Sequence, residues 1–407
     1  MKNNKEIFKN LLSFGSIDVL GLLIPIITMP ILTRALQPAL YGELMLFFMV
    51  MIFGHTIIDY GTQFTAVRVL SKARKKKKTI NFLYTKYQGL RLFLAGVYFS
   101  LASLYCLVFE LGNLANYIYT FGFVYLLGYA LTPIWFFQGM GDTVPLLKVS
   151  LAIKAIHLLV IISFVKTSED IIYPVLSMTV PLLAGGVLLA LFAQRKYGVG
   201  WPIFNYVAYD IKNGKDVFIG LLAPNLYNSL PTIILGTIFP LAQFAQYAIA
   251  SKLISVIFTV QNVISKSIYS TVAMSKVSQV KKLLTLNFVI SIIPILGVFL
   301  FGKTIITALL GAAYEDASKY FVVLSIGALF LGLSNAISIG YFLPNGFDKI
   351  YRNISIRVSL ISALVAIIAI HFFGLMGGAV SLTFARALFL LDYSICYIAL
   401  KREDNKF

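Results

Sequence analysis

The sequence predicts an all-α polytopic membrane protein of about twelve transmembrane helices. Three observations predict this fold class: the composition, the lengths of the apolar runs, and the distribution of basic residues between those runs. Apolar residues make up 59% of the chain, charged residues make up only 12%, and the mean hydropathy is +0.87. Soluble domains are closer to half apolar and about a quarter charged. Lipid must therefore cover much of this protein's surface.

Apolar runs long enough to cross a bilayer recur along the whole chain. A spanning helix needs about 20 predominantly apolar residues. No small-residue cleavage site interrupts the first run, so we expect it to be a retained spanning helix and not a signal peptide. The predicted spans are Leu11–Leu32, Leu44–Ala66, Phe82–Phe109, Leu114–Phe137, Val149–Val165, Ile172–Phe192, Val217–Ile238, Ala242–Ile264, Leu284–Phe301, Tyr320–Leu343, Ile354–Phe373 and Gly377–Leu400.

The basic residues support the same count independently. When successive connections are assigned to alternate sides of the membrane, 24 of the 34 lysines and arginines fall on the side of the N-terminus and four on the other. One miscounted helix would invert every later connection and remove this asymmetry. Because basic residues accumulate in cytoplasmic loops, the pattern predicts that both termini are cytoplasmic. The net charge of +18 therefore reflects topology and attraction to membrane lipids, and we expect no nucleic-acid partner.

The longest connection divides the chain into two halves of six predicted spans each. It carries Trp201, Tyr206 and Tyr209 among charged residues, which favours a segment at the membrane interface. We expect an N-terminal lobe of residues 1–192, an interfacial linker of residues 193–216 and a C-terminal lobe of residues 217–407. Because both halves start on the inside, any repeat would be parallel, about an axis along the membrane normal.

Prolines inside the spans predict kinked helices. A proline lacks the backbone donor of a helix, so a carbonyl one turn earlier must find a partner in protein or in a wet cavity. Kinked helices favour a transporter, although membrane enzymes contain them too. The prolines in question are Pro25, Pro30, Pro133, Pro181, Pro224, Pro231 and Pro294.

The sequence shows no motif of enzymatic or metal chemistry. It contains no Asp-x-Asp, no Cys-x-x-Cys and no Walker-type glycine loop. His55, His157 and His371 lack the spacing of metal ligands and are more typical of hydrogen-bonded residues in a helix bundle. We therefore predict no catalytic residue, no cofactor and no bound metal. The outward-facing loops are also short for a polymerase or glycosyltransferase, which would need a larger watery platform.

Charged residues inside the spans are the candidate functional residues. A charge at a helix centre costs about 2.5–3.5 kcal/mol on insertion scales, so it must face the bundle interior or a cavity. Six basic residues against three acidic ones, Asp18, Asp59 and Asp392, leave an excess of positive charge. Such a cavity suits an anionic substrate such as a diphosphate. The candidate substrate-binding cations are Lys252, Arg386, Lys154, Arg91 and Arg34.

Two of the acidic residues are candidates for ion coupling. Asp18 lies one turn from Gly15 and from Gly21, where small residues admit water or a close partner. It could bind a proton or a sodium ion, or it could pair with Arg91. Asp59 is the second candidate, and structural pairing with Arg91 is equally compatible with its depth.

Seven short motifs in order along the chain resemble those of Wzx-type O-antigen flippases. The motifs are Pro25–Arg34, Gln37-Pro-Ala-Leu-Tyr-Gly42, Asp59-Tyr-Gly61, Pro133-Ile-Trp-Phe-Phe-Gln-Gly139, Tyr247-Ala-Ile-Ala-Ser-Lys252, Leu343-Pro-Asn-Gly-Phe-Asp-Lys349 and Gly374-Leu-Met-Gly-Gly-Ala379. Each motif is loose by itself, but together they cover nearly the whole chain. Lys252 and Asp59 fall inside these motifs, whereas Asp18 and Arg386 fall outside them.

The resemblance implies the multidrug/oligosaccharidyl-lipid/polysaccharide exporter superfamily, with two six-helix lobes around a central cavity as in MATE transporters. It implies that an undecaprenyl-diphosphate-linked oligosaccharide moves from the inner to the outer leaflet of the bacterial inner membrane by alternating access. A proton or sodium gradient would drive the movement. A polysaccharide polymerase and a chain-length regulator are candidate partners.

Two alternatives remain open at this stage. A multidrug or cation antiporter of the same superfamily is the nearer one, but it should prefer an acidic cavity, whereas this one is predicted to be basic. The other is a membrane enzyme of polysaccharide assembly, such as a polymerase. The identity of the sugar repeat is not encoded in any motif of the sequence.

Overall fold

A computed structural model describes residues 21, 24–275, 280–342 and 345–404. Within these residues the chain is helical, with no β-strand. The helices form two compact units, of which the first ends at Leu222 and the second begins at Ala223. The prediction of an all-α polytopic membrane protein is confirmed.

The first unit contains nine helices and the beginning of a tenth in the described residues. The helices are α1 (Ile24–Ala35), α2 (Pro38–Asp59), α3 (Thr62–Ala73), α4 (Lys77–Val108), α5 (Gly112–Tyr117), α6 (Phe123–Leu131), α7 (Ile134–Met140), α8 (Val144–Phe164), α9 (Ile172–Tyr197) and α10 (Val207–Asn228). The second unit contains the end of α10 and then α11 (Leu230–Ile238), α12 (Leu241–Ser275), α13 (Val280–Leu310), α14 (Ala317–Ile337) and α15 (Asp348–Asp404).

The number of spans depends on how broken helices are counted. The described residues contain nine helices that are long and apolar enough to cross a membrane, or ten when α10 and α11, bent by 41°, form one span. One of the nine is the 54-residue stretch Lys349–Arg402. A straight helix of that length would be about 80 Å long, whereas the hydrocarbon core is about 30 Å thick. The first predicted span lies largely outside the described residues, so twelve spans stays a prediction.

Helix α15 folds back on itself at Gly374. This residue has φ 57° and ψ −136°, a non-helical conformation that residues with a side chain rarely adopt. Arg357 and Asp392 lie on either side of it, and Arg357 Nε donates to Asp392 Oδ2 over 3.0 Å. In a straight helix these residues would be about 50 Å apart. Therefore α15 is a hairpin of two helices, which match the last two predicted spans.

Two predicted spans of the first unit are each broken into two helices. Between α2 and α3 the backbone of Tyr60 and Gly61 is left-handed, with φ values of 42° and 78°. Between α6 and α7 the break comes at Thr132 and Pro133. Helices α3 and α7 pack against each other and share a core around the fully buried Trp135. The breaks place polar groups in the middle of an otherwise apolar bundle.

Candidate functional site

Arg91 joins the two broken spans of the first unit. It projects from the unbroken helix α4 and is fully buried. Its Nη2 lies 3.2 Å from Asp59 Oδ1, at the end of α2. The same nitrogen donates to the Tyr129 carbonyl over 3.0 Å, and Nη1 donates to the Thr132 carbonyl over 2.7 Å. Pro133 cannot donate to the Tyr129 carbonyl one turn earlier, and this carbonyl accepts instead from the guanidinium and from the Thr132 amide, 3.1 Å away.

The Asp59 carboxylate accepts hydrogen bonds from two further side chains. Gln63 Nε2 donates to Oδ2 over 2.6 Å, and the Tyr129 hydroxyl donates to the same oxygen over 2.7 Å. The His55 ring stacks on the Tyr129 ring, with centroids 3.5 Å apart. The structure thus contains an ion pair between Asp59 and Arg91, and ion coupling by Asp59 stays a prediction.

A cavity of about 180 Å³ lies beside this ion pair. The Asp59 side chain keeps 14% of its surface exposed, and a cation in the cavity could reach it. However, the nearby guanidinium repels cations, so ion binding here would require the pair with Arg91 to loosen. The cavity is lined by His55, Thr56, Asp59, Gly61, Gln63, Phe64 and Leu221.

A second buried ion pair joins helix α4 to the start of α10. Lys86 Nζ lies 2.7 Å from Asp210 Oδ1, and both side chains are at least nine-tenths buried. The sequence marks Lys86 as an intramembrane charge but gives it no partner, because Asp210 is distant in sequence and belongs to the linker. Four aromatic rings surround the ammonium with centroids 4.9–5.9 Å away, those of Phe82, Tyr87, Tyr206 and Tyr209.

Within the predicted spans of the second unit, two basic residues have no carboxylate partner in the described part of the chain. Lys252, on α12, has an exposed side chain. Arg386, on α15, is 5% exposed, and its guanidinium carbon lies 4.0 Å from the centroid of the Phe258 ring. Its Nη1 has no hydrogen-bond partner among the described residues. Gly327 makes room for it, because a Cβ there would lie 2.9 Å from Nη1.

The remaining predicted site residues are scattered over the first unit. Lys154, on α8, is partly buried, and its Nζ lies 3.5 Å from the position that a Cβ of Gly21 would occupy. Arg34 is exposed near the end of α1. Asp18 lies outside the described residues. Thus the structure brings Asp59 and Arg91 together, whereas no contact in the described part of the second unit joins Lys252 to Arg386.

His157 and the third spanning acid, Asp392, have structural partners, whereas His55 Nε2 has no hydrogen-bond partner in the described residues and His371 is exposed. His157 Nδ1 lies 2.8 Å from the Ser177 hydroxyl, as expected for a hydrogen-bonded bundle residue. Asp392 pairs with Arg357 and not with Arg386. No group of three His, Cys, Asp or Glu side chains in the described ranges is arranged to hold a metal ion.

A family model described as "Polysaccharide biosynthesis protein" matches residues 7–276, which is more than half of the chain. The chain belongs to this family. The resemblance carried by the seven motifs is thereby confirmed at the family level, although the two motifs from residue 343 onward lie beyond the matched region.

Two proteins of similar sequence carry the name "Putative O-antigen transporter". The one from Escherichia coli (strain K12) is 25% identical over 394 residues, which cover 94% of each chain. The one from Shigella dysenteriae is 21% identical over 390 residues, which cover 94% of this chain and 98% of the relative.

Solved structures with the same fold include a lipid flippase and a drug transporter. "Lipid II flippase MurJ, inward closed conformation" has a TM-score of 0.70 at 13% identity and covers 95% of this chain and 86% of its own. An inward-facing multidrug resistance MATE family transporter of the MOP superfamily has a TM-score of 0.69 at 15% identity. The match covers 96% of this chain and 99% of the transporter. The expected MATE-like fold class is confirmed.

Proposed function

We propose that this family member is a flippase for an undecaprenyl-diphosphate-linked oligosaccharide, such as an O-antigen repeat unit. The observation that carries the proposal is the unbalanced positive charge of the second unit. Arg357 has Asp392 as its counter-ion, whereas Lys252 and Arg386 have no carboxylate partner in the described residues. Keeping unpaired cations in a membrane protein is costly. An anionic ligand such as a diphosphate would compensate them.

The burial of these cations suggests different roles for them. Lys252 is an exposed residue, so its side chain can reach a phosphate without a rearrangement of the unit. Arg386 is enclosed and would act through its positive potential unless the second unit rearranges. Arg91 is neutralised by Asp59 in this conformation. We therefore propose Lys252 as the principal phosphate contact, with Lys154 and Arg34 as secondary candidates.

The names of similar proteins favour a flippase over the two alternatives. The sequence relatives are named as O-antigen transporters, and one protein of the same fold is named as a lipid II flippase. An exporter of cationic drugs would need several uncompensated carboxylates, whereas Asp59, Asp210 and Asp392 each pair with a base, and Glu43 is the buried acid of the described helices that has no ion pair. A polymerase is disfavoured because the names of the relatives describe transport.

The cellular setting of the proposal follows from the resemblance to O-antigen flippases, and the sidedness of the termini follows from the charge distribution along the chain. We place the protein in the bacterial inner membrane with both termini in the cytoplasm, and the substrate moves from the inner to the outer leaflet. Lobes of residues 1–192 and 217–407, joined by the linker 193–216, would alternate access to a central cavity. A polysaccharide polymerase and a chain-length regulator stay predicted partners.

A translocation assay in proteoliposomes tests the flippase proposal. Vesicles would contain the purified protein and a polyprenyl-diphosphate oligosaccharide with a fluorescent sugar, and an impermeant quencher would report the outer fraction. We expect Lys252→Ala to lose translocation and Lys252→Arg to keep part of it. Arg386→Met should also slow translocation. Lys319→Ala removes an exposed lysine of the same unit and should behave as wild type.

Either of two results would contradict this assignment. If wild-type protein leaves the sugar distribution unchanged but exchanges a cationic dye, the protein is an antiporter. If Lys252→Ala translocates as fast as Lys319→Ala, the diphosphate is bound elsewhere.

Ion coupling is the second part of the proposal, with Asp18 as the principal candidate. A proton or sodium ion that binds differently in two conformations supplies the differential free energy that a carrier needs. We expect Asp18→Asn to lose the gradient-stimulated part of translocation while it still binds substrate. Asp59→Asn should instead lower stability, because it weakens the pair with Arg91. Full gradient stimulation in Asp18→Asn would show that the coupling site lies elsewhere.

A further inference from the structure

The linker is attached to one side of helix α4 within the first unit. The Gly200 amide donates to Asn81 Oδ1 over 2.6 Å, and the Ile203 amide donates to the Thr85 carbonyl over 3.0 Å. At Gly89 the chains touch so closely that a Cβ would lie 1.9 Å from the Ile203 carbonyl oxygen. The buried pair of Lys86 and Asp210 completes the attachment. The start of the linker is therefore a fixed part of the unit.

The attachment lies near the level where α4 leaves the hydrocarbon core. Helix α4 has 32 residues, so it is about 48 Å long against a core of about 30 Å. Its excess length lies at its N-terminal end, which begins with the last two lysines of the basic run Arg74–Lys78. Residues 81–89 then fall at the boundary between headgroups and acyl chains. The linker residues bound to them share this depth.

At this depth the linker exposes large aromatic side chains. Trp201 is 76% exposed, Phe204 55%, Tyr209 62% and Tyr206 39%. Soluble surfaces rarely expose such a concentration of large apolar groups. Tryptophan and tyrosine are enriched at the membrane–water interface, because their rings are apolar and their N–H or O–H groups are polar. These aromatic side chains are therefore more favourably placed in contact with lipid than in contact with water.

Basic residues flank the aromatic ones and define the kind of lipid. Lys212 and Lys215 are exposed in the turns that follow Asp210, with Asp216 exposed beside Lys215. At the end of α9 Arg195 is exposed, and the neighbouring Lys196 pairs with Asp142. Clusters of this kind next to a membrane attract anionic headgroups.

We propose that residues 201–215 form a docking surface for bilayer phospholipids with anionic headgroups. The aromatic side chains enter the boundary region, and Lys212 and Lys215 contact the phosphates. The pair of Lys86 and Asp210 holds the surface in position. This inference concerns bilayer lipid and does not depend on the identity of the transported molecule.

Tryptophan fluorescence tests the surface, because the chain has only two tryptophans. Trp135 is fully buried in the core around α7, whereas Trp201 is largely exposed. The full-length Trp135→Phe variant therefore reports Trp201 alone. In vesicles with bromine near the carbonyl end of the acyl chains, its emission should be strongly quenched, and aqueous iodide should quench it little. If the core variant does not fold, the difference between wild type and Trp201→Phe gives the same signal.

The preference for anionic lipid has its own measurement. Spin-labelled phosphatidylglycerol should quench Trp201 at least about twofold more than spin-labelled phosphatidylcholine, because each basic residue near the surface adds attraction. Lys212→Gln with Lys215→Gln, or high salt, should remove the difference. Strong iodide quenching with no bromine quenching would overturn the docking surface. Equal quenching by the two spin-labelled lipids would overturn the anionic preference.

Discussion

At the residue scale, the two buried arginines differ in whether they have a counter-ion. Each lies near an aromatic ring and has one nitrogen without a hydrogen-bond partner, but Arg91 has a carboxylate and two backbone carbonyls as partners, whereas Arg386 has no carboxylate partner in the described residues. The sequence placed both as intramembrane charges and offered Asp18 or Asp59 as a partner for Arg91, but it could not choose between them, because both candidates lie in other predicted spans. The partner of Lys86 could not be predicted from the sequence either, because Asp210 lies in the linker. Composition predicts that such charges exist, and only tertiary structure assigns their partners.

The pairing of Arg91 leads to a stability prediction. Arg91→Gln leaves the Asp59 carboxylate and two carbonyls with weaker partners, and breaking a buried ion pair typically costs about 3–5 kcal/mol. We expect a clear fall in the melting temperature of the purified protein. Lys196→Gln is the matched change, because it breaks the more exposed pair with Asp142 and should cost about 0–1 kcal/mol. Equal melting temperatures for the two variants would show that the Arg91 pair contributes no net stability.

At the element scale, the sequence predicted apolar spans well and helix breaks in part. Pro133 falls at the break between α6 and α7, as its missing donor requires. The break at Tyr60 and Gly61 contains no proline, and the predicted span Leu44–Ala66 runs straight through it. Gly61 adopts the left-handed conformation that glycine allows there, and a Cβ on it would lie 2.7 Å from the Val217 side chain. The hydrophobicity of a segment predicts how long a span is, but it does not predict whether the helix is straight or broken.

The hairpin at Gly374 gives a prediction for α15. Gly374→Ala should be destabilising by about 1–3 kcal/mol, because it forces a side chain into a conformation that almost only glycine adopts. A Cβ there would also lie 3.2 Å from the Phe239 ring. Gly297→Ala is the matched change, since Gly297 is helical and a Cβ at this position would meet no atom within 4 Å. It should be neutral or stabilising in thermal unfolding. A Gly374→Ala variant as stable as Gly297→Ala would contradict the hairpin conformation.

At the scale of the whole molecule, the sequence and the structure divide the chain by different criteria. The sequence places the division in the charged linker, because this linker is the longest connection between two predicted spans. The contacts place it between Leu222 and Ala223, inside α10, because the start of this helix is bound to α4 through Asp210. Charge and hydropathy predict which segments of the chain are in contact with water. They do not predict which helix a polar connection packs against.

The sidedness of the molecule is predicted from charge alone, and it can be measured directly. Single cysteines at positions 76, 169, 315 and 401 all fall at exposed residues, so each would be accessible to a reagent on its own side of the membrane. The background would carry Cys106→Ser and Cys396→Ser, since those thiols are buried and partly buried. Because 24 basic residues lie on one side and four on the other, we expect Lys76 and Lys401 in the cytoplasm and Glu169 and Glu315 outside. An impermeant maleimide added to intact cells should then label positions 169 and 315 only, and permeabilised cells should show label at all four. Label at position 76 in intact cells would reverse the orientation, and with it the direction of transport proposed above.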